Sequence, residues 1–212
     1  LYCFSNEYCS WRWSFDDCMA KVSQLGTGQG VEIVGPQSHR GFPVVPEEFE
    51  RQFKSAADRY GLTPTSYGAY ADPYMIPGRA LTPDEMVDYT VHQLSGARKL
   101  GFPIVRLQHF VNPVVERLLP YAERYKIKMG YELHTPLVLE STETQGLIEN
   151  IKRIQSPHLG LIPDAGIFCK RIPQAYLEYG IRSGVPADAL QRMQELWASK
   201  AWRNRLNRKS RP

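Results

Sequence analysis

The stretch "IKMGYELH" (residues 127–134) reads as a buried strand that ends on a carboxylate and an imidazole. Glu132 and His134 are two residues apart, so on a strand both point to the same side. At the C-terminal end of a strand, carboxylate plus imidazole suits a divalent ion such as Mn²⁺, Zn²⁺ or Fe²⁺. It equally suits a general base beside an oxygen ligand. A buried Glu–His ion pair without function accounts for the same pattern, because buried charges are retained only when paired. The run alone leaves these readings open.

Working outward, five further β-type runs appear: "LYCFSN" (1–6), "GVEIVG" (30–35), "TPTSYGAYA" (63–71), "PIVRLQHF" (103–110) and "HLGLIPDAG" (158–166). Amphipathic helical stretches follow the first five of the six runs. Residues 47–60 place Phe49, Phe53, Ala56, Ala57 and Tyr60 on one stripe, the spacing of a packed helix. "TPDE" (82–85) and "TETQ" (142–145) read as capping boxes, and "NPVV" (112–115) as an Asn cap followed by Pro. Gly26, Gly61 and Gly101 sit where helices should stop.

A helix after each strand argues for a parallel sheet, either doubly wound or closed as a (β/α)₈ barrel. "GTGQG" (26–30) precedes a strand instead of joining strand to helix, so it is a turn and not a phosphate loop. Polar residues gather at the C-terminal ends of the runs: Asn6, Glu7, His109, Glu132, His134 and Asp164. In a barrel those ends ring the mouth where chemistry is placed, so the reading is a TIM (β/α)₈ barrel. A barrel needs eight strands in about 250 residues, and only six βα units are legible here. After Asp164 the chain reads as two helices broken at Gly184–Pro186, and it stops before a seventh strand. The expected organisation is a partial barrel over residues 1–198 with a helical insert, then a basic tail over 199–212, aberrant or disordered.

Composition narrows the classes. With 212 residues, 42% hydrophobic and 23% charged, the chain matches soluble globular proteins, and no apolar stretch approaches the roughly 20 residues of a membrane span. The net charge of +4 belongs to the tail: residues 200–212 hold six of the 26 Lys/Arg, and the remaining 20 face 22 acidic residues. The body therefore carries no nucleic-acid footprint. Cys3, Cys9, Cys18 and Cys169 lack CxxC spacing and read as reduced thiols of a cytoplasmic protein.

Several candidates remain around the mouth. Asp164, ending the next strand, is either a turn former before "AGIF" or a second carboxylate sharing a cation with Glu132. His109 could bind substrate or be structural. His39 could line the mouth. His92 reads as lying on a solvated or packed helix face, and His158 lies at the wrong end of its strand. Arg106, flanked by apolar residues, reads as an ion-pair former. Aromatics in "SWRWSF" (10–15) and "YGAYADPYM" (67–75) suit flat ligands or plain loop packing.

The strand–helix series with "YELH" and "IPDAG" resembles the xylose isomerase-like TIM barrels, the sugar phosphate isomerase/epimerase superfamily. More closely, "YCFSNEY", "GYELHTPLVLES", "IPDAGIF" and "YLEYGIRSGVP" look like the catalytic (α) subunit of C-glycoside deglycosidases over about residues 1–198. The resemblance implies a carbon–carbon lyase acting on 3-keto C-glycosides, whose aglycone is flavonoid or otherwise aromatic. It implies a divalent ion, Mn²⁺ first among Mg²⁺, Zn²⁺ and Fe²⁺, held by four side chains, and a small β subunit as partner. Carried over, Glu132 and Asp164 match two metal ligands and His134 a position in the active site, the candidate acid/base; His109 and Asn6, by their places at strand ends, are the candidate substrate contacts. The third and fourth ligands, a His and a Glu from later strands, match no segment of this chain. Alternatives of the same fold are a sugar isomerase/epimerase and an inactive truncated remnant.

Overall fold

The computed structural model describes the backbone of residues 2–3 and the residues 13–134, 137–168 and 171–199. Six parallel strands run in sequence order: β1 (Tyr2–Cys3), β2 (Gly30–Val34), β3 (Thr63–Gly68), β4 (Ile104–Leu107), β5 (Lys128–Leu133) and β6 (Leu159–Pro163). Between them lie α1 (Phe15–Leu25), the short α2 (Gly35–Ser38), α3 (Glu47–Tyr60), α4 (Pro83–Leu100), α5 (Val115–Tyr125) and α6 (Thr142–Ile154). α7 (Gln174–Arg182) and α8 (Ala187–Ala198) follow β6. This is the expected βα series with a neighbour-to-neighbour parallel order, the order of a singly wound barrel sheet. The expected tail and Asn6 lie outside the described residues, as do Cys9, Cys169 and the side chain of Cys3; Cys18 is buried.

The chain forms two compact units: Leu1–Glu132 with Leu147–Ile162, and Leu133–Gly146 with Pro163–Pro212. In the first, helix ends follow local chemistry. Ser14 and Asp17 form a capping box on α1, and Thr82 and Glu85 form the one read from "TPDE" on α4. Gly26, Gly61 and Gly101 close α1, α3 and α4 in the left-handed region, with φ of 61, 64 and 87°, where a side chain would be strained. Asn112 is not the expected cap: it lies with Pro113 in a 3-10 helix (His109–Val114), and α5 starts only at Val115. Its Oδ1 instead accepts from Tyr131 Oη (2.9 Å) and Asn150 Nδ2 (2.8 Å), tying α6 and β5 together.

The core of this unit lies between helices and sheet. Phe15, Phe49, Phe53 and Phe102 stack edge-to-face or tilted at centroid distances of 5.1–6.3 Å, and Phe102 meets Tyr67 of β3 at 5.9 Å. Phe49, Phe53, Ala56 and Ala57 are the buried stripe expected on α3. In the second unit, Ser141 Oγ accepts from the Thr144 amide at 3.3 Å. The cap of α6 is thus Ser141, one residue before the expected Thr142. α7 and α8 break over Ser183–Pro186, one residue wider than the Gly184–Pro186 read from the sequence, with Leu190 packed on Gly180.

Candidate functional site

Strand register decides which side chains share a face. Glu32 pairs with Ser66, Gly68 with Arg106, and Arg106 with Gly130. Because side chains alternate along a strand, Glu32, Ser66, Gly68, Arg106, Gly130 and Glu132 fall on one face. Ile33, Tyr67, Val105, Met129 and Tyr131 fall on the other, fully buried among the aromatic and aliphatic core. The face away from that core therefore carries the charged residues Glu32, Arg106 and Glu132, with Gly68 and Gly130 beside them and Val34, Ile104 and Ile162 as its apolar members.

Three of those charges meet. Arg106 Nη2 and Nε donate to Glu32 Oε1 at 2.8 and 3.1 Å, and Arg106 Nη1 donates to Glu132 Oε2. Ser66 Oγ donates to the second oxygen, Glu32 Oε2. The side chains of Glu32, Arg106 and Glu132 are 10, 16 and 18% exposed, which places the triple where charge must be compensated. Burial works against the Arg106 cation, but the two carboxylates outweigh it and hold the guanidinium above its ordinary value. Gly68 makes room: a Cβ there would lie 2.9 Å from Arg106 Nη2. One cation against two anions leaves this cluster with a formal charge of −1.

The ion pair expected of Arg106 is thus present, and one of its partners is the candidate ligand Glu132. Glu32 and Ser66 were not singled out from the sequence. The available signal for Glu32 was an acid inside the apolar run "VEIV", which demands a partner.

The other candidates are placed as follows. His134 lies one residue beyond β5 and is exposed; its carbonyl accepts from the Leu137 amide at 2.9 Å. In the same unit the Asp164 amide donates to the Leu133 carbonyl at 2.9 Å, registering the end of β6 against the end of β5. Asp164 is exposed, and its Oδ1 accepts from the Gly166 amide at 2.5 Å, the turn-forming bond weighed from "PDAG". His109 does not end β4, which stops at Leu107; the chain turns at Gln108 into the 3-10 helix, and the His109 ring packs on Phe110 at 4.0 Å. His39 does not line a mouth: it is buried, with Nε2 3.1 Å from Tyr67 Oη. His92 is solvated beside Asp88 at 3.5 Å, and His158 Nδ1 bonds the Ile127 carbonyl at 2.7 Å, a structural role at the strand's starting end. Gln93, fully buried on α4, holds both the amide (2.8 Å) and the carbonyl (2.7 Å) of Tyr70 and so pins the aromatic loop after β3.

Carboxylate oxygens such as those of Glu132 are the hard donors that Mn²⁺ and Mg²⁺ take. A cation already sits on Glu132 in the form of the Arg106 guanidinium. Among the described residues no group of three or more His, Cys, Asp and Glu gathers to hold a metal, so these residues do not by themselves make a fit for the ion. Among the same residues no helix is long and apolar enough to cross a membrane.

No family model matches the chain. It is 40% identical over 198 residues, 93% of its length, to the 3'-dehydrocarminate deglycosidase alpha subunit of Microbacterium sp. It is 32% identical over 199 residues, again 93% of its length, to a C-glycoside deglycosidase alpha subunit of Arthrobacter globiformis. The chain spans 57% and 54% of these two relatives' own lengths. Among solved structures it is similar to a xylose isomerase domain protein of Planctomyces limnophilus, with a TM-score of 0.52, 18% identity, and coverage of 68% of this chain and 57% of that one. A D-psicose 3-epimerase aligns with a TM-score of 0.56 at 12% identity, covering 76% and 62%. The fold is therefore that of the xylose isomerase-like TIM barrels.

Proposed function

We propose, for a chain homologous over 93% of its length to C-glycoside deglycosidase alpha subunits, that it is the catalytic part of a lyase cleaving the C–C bond between a 3-keto sugar and an aromatic aglycone. The observation that carries this reading is the 40% identity to a relative named for a 3'-dehydro substrate. The strand-end carboxylate Glu132, anchored inside the first unit by Arg106, supports it.

The chemistry follows from the ketone. A carbonyl at C3 acidifies the proton on C2, and the aglycone on C1 is then β to the carbonyl. His134, exposed just past β5, is assigned the C2 proton, imidazole being the most frequent general base. The electron pair left at C2 forms the C1=C2 double bond as the C1–aglycone bond breaks. The bonding pair goes to the aromatic carbon, which takes up a proton. One proton leaves C2 and one arrives on the aglycone, so no oxidant or reductant is needed. A divalent ion, Mn²⁺ by preference, would supply Lewis-acid stabilisation of the enolate. The resemblance assigns Glu132 and Asp164 each as a ligand of that ion. A small β subunit is the partner this reading requires, since the relatives are named alpha subunits.

The test is aglycone release from a 3-keto C-glycoside, followed by chromatography, with the full-length protein and its β subunit. Release that is lost on Glu132→Gln supports the reading. A free ketose that changes configuration while the C-glycoside stays intact would replace it with an epimerase.

A further inference from the structure

We infer that the cleft between the first turn of α7 and the last turn of α8 is a binding site for a planar aromatic anion, a carboxylate or phenolate borne on a flat ring system. The inference goes beyond the proposed function and does not rest on it, since it concerns the binding of such an anion and not its formation.

The two helices touch beside the turn that joins them. A Cβ on Gly180 would lie 2.9 Å from Leu190 Cδ2, so the glycine lets α8 approach α7 there. Leu177 lies three residues before Gly180, and Trp197 seven residues after Leu190, so each continues the stripe of its helix that makes this contact. At their far ends the helices border a cleft of about 460 Å³, lined among others by Arg171, Ile172, Gln174, Leu177, Gln194 and Trp197. All of these belong to the second unit. The volume falls within the range of small-molecule sites, about 300–1,000 Å³.

The walls set the ligand's chemistry. Leu177 is buried, and Ile172 and Trp197 are half-buried, so they offer apolar surface. The indole adds a broad flat face, against which another ring stacks. No Asp or Glu lines the cleft, and its single formal charge is the Arg171 guanidinium. Among the described residues Arg171 enters no ion pair. A guanidinium presents two parallel N–H donors to one carboxylate, and the Gln174 and Gln194 amides add donors and acceptors of their own. A ligand that is flat, apolar and negatively charged at one edge matches each of these groups.

The probe is 2-naphthoate, titrated calorimetrically into the full chain, with neutral 2-naphthamide and the non-aromatic decahydro-2-naphthoate as controls. Saturable binding of 2-naphthoate, tighter than that of either control, is expected. Arg171→Gln changes an exposed side chain and should weaken 2-naphthoate by about 10- to 100-fold, the worth of a charge-assisted contact, while 2-naphthamide keeps its affinity. Trp197→Leu should weaken both aromatic probes. Absence of saturable binding to the unaltered chain, or equal affinity for all three probes, would overturn the inference. So would a folded Arg171→Gln variant that binds 2-naphthoate as before, because the anion would then sit elsewhere. Should Trp197→Leu not fold, as judged by circular dichroism, the Arg171→Gln comparison decides alone.

Discussion

Replacing Arg106 by Met removes the one cation of the Glu32–Arg106–Glu132 triple while keeping a long apolar stem. Three hydrogen bonds go, two to Glu32 and one to Glu132. Two carboxylates then face each other across the sheet with only Ser66 Oγ still donating to Glu32. Breaking a buried ion pair by deleting one partner costs about 3–5 kcal/mol. Glu132 and Arg106 retain 18 and 16% exposure, so the loss belongs at the lower end, about 3 kcal/mol. At about 2–4 °C per kcal/mol for a chain of this size, the melting midpoint should fall by roughly 6–12 °C. Thermal unfolding by near-UV circular dichroism measures it. In a Glu32→Gln/Glu132→Gln background the sign should change: Arg106 is then an unpaired buried cation, and Met in its place is expected to be neutral or stabilising. An equal loss in both backgrounds would refute the electrostatic account and assign the effect to packing of the arginine stem.

Other outcomes are expected elsewhere. Burial holds the His39 imidazole below its ordinary 6.5, so unfolded His39 takes up a proton that native His39 refuses. That contribution is full above about pH 6.5 and declines as pH falls below it; urea midpoints at pH 7.5 and 5.5 should show a smaller acid loss for His39→Gln than for the unaltered chain. Gln93→Ala strands the Tyr70 amide and carbonyl and should cost about 2 kcal/mol, with faster hydrogen exchange at the Tyr70 amide than in the unaltered protein. On the proposed function, His134→Ala should abolish aglycone release while leaving any Mn²⁺ content unchanged, as judged by metal analysis after gel filtration; loss of metal would make His134 a ligand and not the proton carrier.

Elements with local causes were legible in the amino-acid order. The stripe on α3, the Thr82–Glu85 box and the stops at Gly26, Gly61 and Gly101 each depend on residues within one or two turns, and each is found where it was read. The strand ends were less sharp. Residues 108–110 were read into β4 but belong to the turn and the 3-10 helix, because an aromatic residue such as Phe110 fits either state when no partner strand is specified. Asn112 misled for a related reason: Asn before Pro is a cap by local rules, but here its side chain is taken by Tyr131 and Asn150.

The strand-end carboxylate Glu132 and the need of Arg106 for a partner were visible in the sequence by itself, because a charge inside an apolar strand must be compensated wherever the strand goes. That the partners are Glu32 and Glu132, 74 and 26 residues away, was decided only by the tertiary structure. The spacing along the chain says which way a side chain points, but the register between β2, β3, β4 and β5 says which side chains meet. A shift of one residue in β2, β4 or β5 would turn its charge to the helix-packed face. The register is fixed by how the whole aromatic and aliphatic core packs between helices and sheet, a sum over many weak contacts that no single stretch of sequence contains.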